Sequence, residues 1–129
     1  MLFYFIKSFS CIITSCLAAY IGRGVTYVAL SRHADALSNF TKATILDPFS
    51  AVAFYNKGYA CANLGRVEEA VAAYSDAIKL KNDYGEAYVN RGVAHFQLGD
   101  KSSARHDLRH ALETLQFEPA KQFYDEICR

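Results

Sequence analysis

The sequence predicts an all-α solenoid: three stacked helix-turn-helix units closed by a short C-terminal helix. Three observations predict it. Gly24, Gly58 and Gly92 recur at a fixed spacing of 34 residues. Tyr20, Phe54 and Tyr88 precede these glycines by four, while Ala36, Ala70 and Ala104 follow by twelve and Ala43, Ala77 and Ala111 by nineteen. Within the units, apolar residues recur at helical spacing, as Phe54, Gly58 and Cys61 do. A period of this length is the mark of stacked repeats. With 52% hydrophobic and 21% charged residues, the chain has enough apolar material for a packed core.

Residues 1–16, MLFYFIKSFSCIITSC, do not continue the period, since Leu2 stands where a small alanine is due. Three readings stay open for them. One is a signal peptide or signal anchor cut after Ala18, although bulky apolar residues precede Lys7 where a basic region is expected. Ile13-Thr14-Ser15-Cys16 also fits a short lipoprotein cleavage box. Another is a membrane span, which needs about 20 apolar residues and reaches that length only by taking Tyr20 and Ile21 from the first unit. The last is packing on the first unit as a cap, or in its groove. A cytoplasmic location is favoured, or a membrane-associated or exported one if residues 1–16 are a signal or anchor.

The units tile residues 17–50, 51–84 and 85–118. Asp47-Pro48 closes the first, because proline disfavours helix at the residue before it. In the second, Gly65 ends the first helix at the left-handed C-terminal position. Ala70, Tyr74 and Ala77 then mark the inner face of the next helix. Asn82-Asp83 supplies the following turn. In the third, Gly99 ends a helix and Asp100 N-caps the next. Residues 119–129 form the final helix, with Pro119 in its first turn. Phe123, Tyr124 and Ile127 are expected to cover the open apolar face of the third unit, as solenoid ends require.

The small residues have a steric purpose. Glycine at the eighth position and alanine at the twentieth let two helices approach. The fourth and twenty-fourth positions (Phe40, Tyr74 and Leu108 at the latter) fill the space beside them. Cys61 and His95 occupy core positions.

These residues resemble the tetratricopeptide repeat family. The best unit is Ala51–Tyr84, and the resemblance covers residues 17–118. Cys61 and His95 replace a usual large aromatic, and Asn82 and Gln116 replace a closing proline. The resemblance implies a right-handed superhelix whose concave groove is lined by the first helix of each unit. It also implies a non-enzymatic module that holds a protein or peptide of unspecified identity. Carried over, the principal groove positions are Tyr55, Asn56, Tyr59, Asn63, Val89, Asn90, Val93, Phe96 and Gln97. Asn56 and Asn90 hold the same position in successive units, and paired amides suit the main chain of an extended peptide. The family's carboxylate clamp needs basic residues where this chain has Ile21, Glu86 and Asn90. Little or no affinity is therefore expected for peptides ending in Glu-Glu-Val-Asp.

Other chemistries find little support. A net charge of +1 from 14 basic and 13 acidic residues, well mixed, argues against nucleic acid. The four cysteines form no Cys-x-x-Cys pair. His106 and His110, one turn apart, are expected on the solvated convex side rather than on a metal. No catalytic constellation stands out, and no cofactor is expected. The apolar groove and N-terminus also suit pairing with a second copy, or a membrane tether through residues 1–16.

Overall fold

The computed structural model describes the backbone of residues 2–129 and the side chains from Ser8 onward. Among the described residues seven α-helices follow one another: α1 Leu2–Ala29, α2 His33–Leu46, α3 Ala51–Asn63, α4 Val67–Leu80, α5 Gly85–Gln97, α6 Lys101–Arg109 and α7 Ala120–Ile127. Each helix packs on its chain neighbour, and α1, α3 and α5 line up as first helices. This is the expected helical solenoid.

The periodic glycines make room for one large side chain each. A Cβ on Gly24 would lie on the Phe40 ring, and one on Gly58 would come within 2.8 Å of the Tyr74 ring. A Cβ on Gly92 would reach 3.0 Å from Leu108 Cγ and 3.3 Å from the Ala104 carbonyl. The partner of the eighth position is thus the twenty-fourth, more than the alanine at the twentieth. Phe40, Tyr74 and Leu108 are fully buried as a result, each stabilising the fold by about 1.5–3 kcal/mol through burial. Gly85 repeats the device outside the period: a Cβ there would come within 2.7 Å of the Phe117 ring.

The turns follow their local chemistry. Gly65 and Gly99 take positive φ, 75° and 83°. Ser50 Oγ accepts from Ala53 N–H, and Asp100 Oδ1 from Ser103 N–H. The first unit has Ser31 in the corresponding place at φ 58°. A side chain there costs about 1–2 kcal/mol of strain. We expect Ser31→Gly to raise the melting temperature by a few degrees, the equivalent of about 1 kcal/mol. An unchanged or lower midpoint in a thermal melt would contradict this.

Two features depart from expectation. After α6, residues His110–Thr114 form a π-helical turn in which Leu115 N–H reaches the His110 carbonyl. Gln116 at φ 52° and a bond from Phe117 N–H to Ala111 O then end the run. This delivers Phe117 to Gly85. The other departure is that α1 runs unbroken through residue 16. No proline or glycine precedes Gly22 to stop it, so helix propagates from the first unit toward the N-terminus. From Ser8 to Cys16 only Ile13 is even half-buried. Those described residues neither cap the first unit nor fill its groove.

At the other end α7 does cap. Ala120 is fully buried, and Phe123, Tyr124 and Ile127 pack with Val89, Leu108 and Ala111.

Candidate peptide groove

The first helices α3 and α5 flank an open cleft of about 190 Å³. Tyr59, Ala62 and Asn63 line it from α3, Asn90, Val93, Ala94 and Gln97 from α5, with Tyr74 at its floor. Five of the nine groove positions expected from sequence therefore meet in one place: Tyr59, Asn63, Asn90, Val93 and Gln97. Tyr59 and Phe96 are each 39% exposed, and Phe96 stands outside the cleft lining. Asn63 donates to the Tyr59 carbonyl one turn back, at 2.9 Å, which holds its amide on the cleft wall.

Behind the cleft lies an aromatic cluster. Tyr55 stacks on Tyr84 with centroids 5.0 Å apart and tilts against Tyr74 at 5.8 Å. Asn90 Nδ2 donates to the Tyr55 hydroxyl at 3.0 Å. The two equivalent asparagines are therefore not equivalent in use. Asn90 is tied to the core, while Asn56 is half-buried and outside the cleft lining. Val89 is also no groove residue: only 4% exposed, it lies under α7. The final helix takes the place that a fourth unit would occupy, and so covers the fifth position of the third unit.

Burial raises the phenol pKa values of all three tyrosines, that of Tyr84 to about 12 from 10.0. A group with a raised folded-state pKa favours the fold while protonated. That contribution is complete below pH 10 and is lost as pH climbs toward about 12. We expect unfolding by alkali to begin only above pH 10, with tyrosinate absorbance rising in step with loss of helical circular dichroism. Tyrosinate absorbance that completes its rise before the helix signal falls would contradict this.

Sequence reasoning missed the polar junction between the second and third units. Arg91 donates to both carboxylate oxygens of Asp107 at 2.7 Å and to Ser75 Oγ at 3.1 Å. It also lies over the Tyr88 ring at 5.4 Å. Asp107 is 2% exposed, not on a solvated face between two histidines. His110 too is off the solvent side, with its ring 4.6 Å from that of Tyr88. Only His106 is exposed as expected. A signal was present in the period. Positions seven and twenty-three pair again in the first unit, where Arg23 Nε donates to Asn39 Oδ1 at 2.6 Å. Cys61 is fully buried, as expected. His95 is mostly buried, with its two ring nitrogens 3.9 Å from Asp100 and Asp107. Among the described residues no cluster of His, Cys, Asp or Glu is placed to hold a metal.

Comparison with known proteins places this architecture. A family model described as TPR repeat matches residues 58–99, and one described as tetratricopeptide repeat matches residues 85–114. The Hsp70-Hsp90 organizing protein of Triticum aestivum is 32% identical over 82 residues, which is 64% of this chain but 14% of that one. The chain thus spans only a small part of that relative. The first TPR of Spaghetti (RPAP3), solved bound to the HSP90 peptide SRMEEVD, aligns with a TM-score of 0.81 at 26% identity over 88% of this chain and 91% of its own. The second TPR domain of human RPAP3, solved with the HSP70 peptide SGPTIEEVD, shares the fold with a TM-score of 0.85 at 22% identity, over 91% of this chain and 98% of its own. With both family models falling on the periodic units and the fold shared over 88% and 91% of the chain, the chain belongs to the tetratricopeptide repeat family.

Proposed function

We propose that this chain is a non-catalytic binding module that holds an extended, largely uncharged peptide segment across its concave face. The observation that carries this reading is the open cleft between α3 and α5, walled by Tyr59, Asn63, Val93 and Gln97. Tyrosine and valine offer apolar area, and the two amides offer a donor and an acceptor each to a peptide main chain. Val52 on α3 and Val25 on α1, about half exposed, extend the apolar surface toward the first unit. Peptide binding by similar domains supports the general role: the Spaghetti domain holds SRMEEVD and the human RPAP3 domain holds SGPTIEEVD. The ligand class differs here. An acidic carboxyl terminus needs cations, and Ile21, Glu86 and Asn90 supply none.

The test is a heptapeptide display selection on the full chain, followed by titration calorimetry. Selected sequences should be apolar and uncharged, and Tyr59→Ala should weaken them about tenfold or more, as loss of an aromatic anchor does, without shifting thermal unfolding. SRMEEVD should give no measurable heat. Tight, salt-sensitive binding of SRMEEVD would overturn the reading, as would selected peptides that ignore Tyr59→Ala.

A further inference from the structure

Among the described residues of the N-terminal half of α1, Ser8–Cys16 lie largely clear of the solenoid, and the base of this stretch has the form of a membrane boundary. The register between α1 and α2 shows where it leaves the solenoid. Gly24 faces Phe40, Arg23 bonds Asn39 and Tyr20 lies beneath Lys42. Continued antiparallel, this pairing reaches the end of α2 at about Leu17. Everything before that projects past the first hairpin.

The projecting part carries its large apolar side chains, Phe9, Ile12, Ile13 and Leu17, along one face, and small uncharged residues, Cys11, Thr14, Ser15 and Ala18, along the other. Phe9 and Ile12 are 65% and 58% exposed. The open side of a surface helix in water carries charged residues; this one carries none. Between Lys7 and Arg23 there is no charge, and no carboxylate precedes Asp35. The Thr14 hydroxyl donates to the Ser10 carbonyl one turn back at 2.8 Å. At 1.5 Å per residue, Leu2–Ala19 rises about 26 Å, a few ångströms short of a hydrocarbon core of about 30 Å. Local thinning of the bilayer accommodates such a difference.

The base of the helix carries an interfacial collar. The Tyr20 ring lies under two cations, with Arg23 at 5.4 Å and Lys42 at 5.8 Å. Tyrosine and basic residues are the side chains that gather at headgroup level. On the same edge of the solenoid, Ile45 and Phe49 are 74% and 81% exposed, with no role in the core.

We infer that residues 2–19 insert into a lipid bilayer as a direct extension of the first repeat helix. Tyr20, Arg23 and Lys42 sit at the headgroups, and Phe49 dips into the interface. Because the tether is continuous with α1, it is rigid, and the groove is held at a fixed height and angle over the membrane. This goes beyond peptide binding and does not depend on it.

The experiment is flotation of the full chain, purified in detergent and reconstituted with vesicles of phosphatidylcholine and phosphatidylglycerol. The chain should float, and should remain with the vesicles after alkaline carbonate and high salt. Ile12→Asp should lower its partition roughly 100-fold, since an acid at mid-bilayer is strongly disfavoured. Circular dichroism and thermal unfolding should not change, because Ile12 packs on nothing in the solenoid. Release by carbonate or salt would overturn insertion. So would a detergent-free chain that is a dimer and that Ile12→Asp splits, which would assign the helix to a second copy. A chain recovered from membranes of expressing cells without residues 1–18 would overturn it as well.

Discussion

Asp107→Ala is expected to destabilise the chain by about 3–5 kcal/mol, the cost of leaving a buried charge without its partner. The Arg91 guanidinium is held by two bonds of 2.7 Å to a carboxylate that is 2% exposed, and by a third to Ser75. Removing Asp107 strands that cation between α4, α5 and α6. A chain of 129 residues has a total stability on the order of 6–19 kcal/mol, so the loss is a large share. Repeat proteins distribute stability over units and their interfaces. The third unit and α7 should therefore unfold first, and a urea titration should show a shallower, earlier transition rather than a simple shift. Arg91→Ala should cost a comparable amount. The double replacement Arg91→Met with Asp107→Leu should recover most of it, because an apolar pair of similar volume leaves nothing unpaired. A single-variant cost below about 1 kcal/mol, typical of a solvent-exposed pair, would show that the junction is hydrated and weak.

Gly24→Ala and Gly22→Ala should move stability in opposite directions, although they lie two residues apart on α1. Helix propensity favours alanine over glycine by about 0.5–1 kcal/mol at both. At Gly22 nothing lies within 4 Å of the new Cβ, so the propensity gain should appear in full. At Gly24 the methyl group would fall on the Phe40 ring, which is fully buried and has no room to turn. Overpacking of this kind costs about 1–3 kcal/mol. Gly24→Ala should thus be net destabilising, and Phe40→Leu in the same chain should relieve part of the strain. Equal responses at the two glycines in denaturant titrations would show that the helices can part without cost.

Much of the fold is written in the period. Gly24, Gly58 and Gly92 mark the hairpins, because a close helix crossing tolerates only a hydrogen there, and steric demand of this kind falls on single residues. Gly65 and Gly99 announce their turns for the same reason, since φ near 80° is closed to most side chains. The cleft lining was legible only in part. Tyr59, Asn63, Val93 and Gln97, carried over from the family resemblance, line one cleft, yet identical positions in two units met different surroundings. Asn90 bonds Tyr55 while Asn56 does not line the cleft, because Asn90 faces the tyrosines of the unit before it. Val89 went under α7, since the end of an array differs from its middle.

By itself, the sequence determined the hairpin, its repeat and its stacking, because these rest on contacts between residues at a constant separation. Tertiary structure alone decided which polar groups are buried and which surfaces stay open. Asp107 lies in a charged stretch of α6 and is silent about burial until α5 brings Arg91 across from it. The projection of α1 was undecided in the same way. Its residues are equally apolar whether packed, swallowed or exposed, and only the length of α2, which ends at Leu46, leaves Ser8–Cys16 with no protein beside most of them. Burial is a property of what lies opposite, and what lies opposite is fixed by packing between elements rather than by any residue alone.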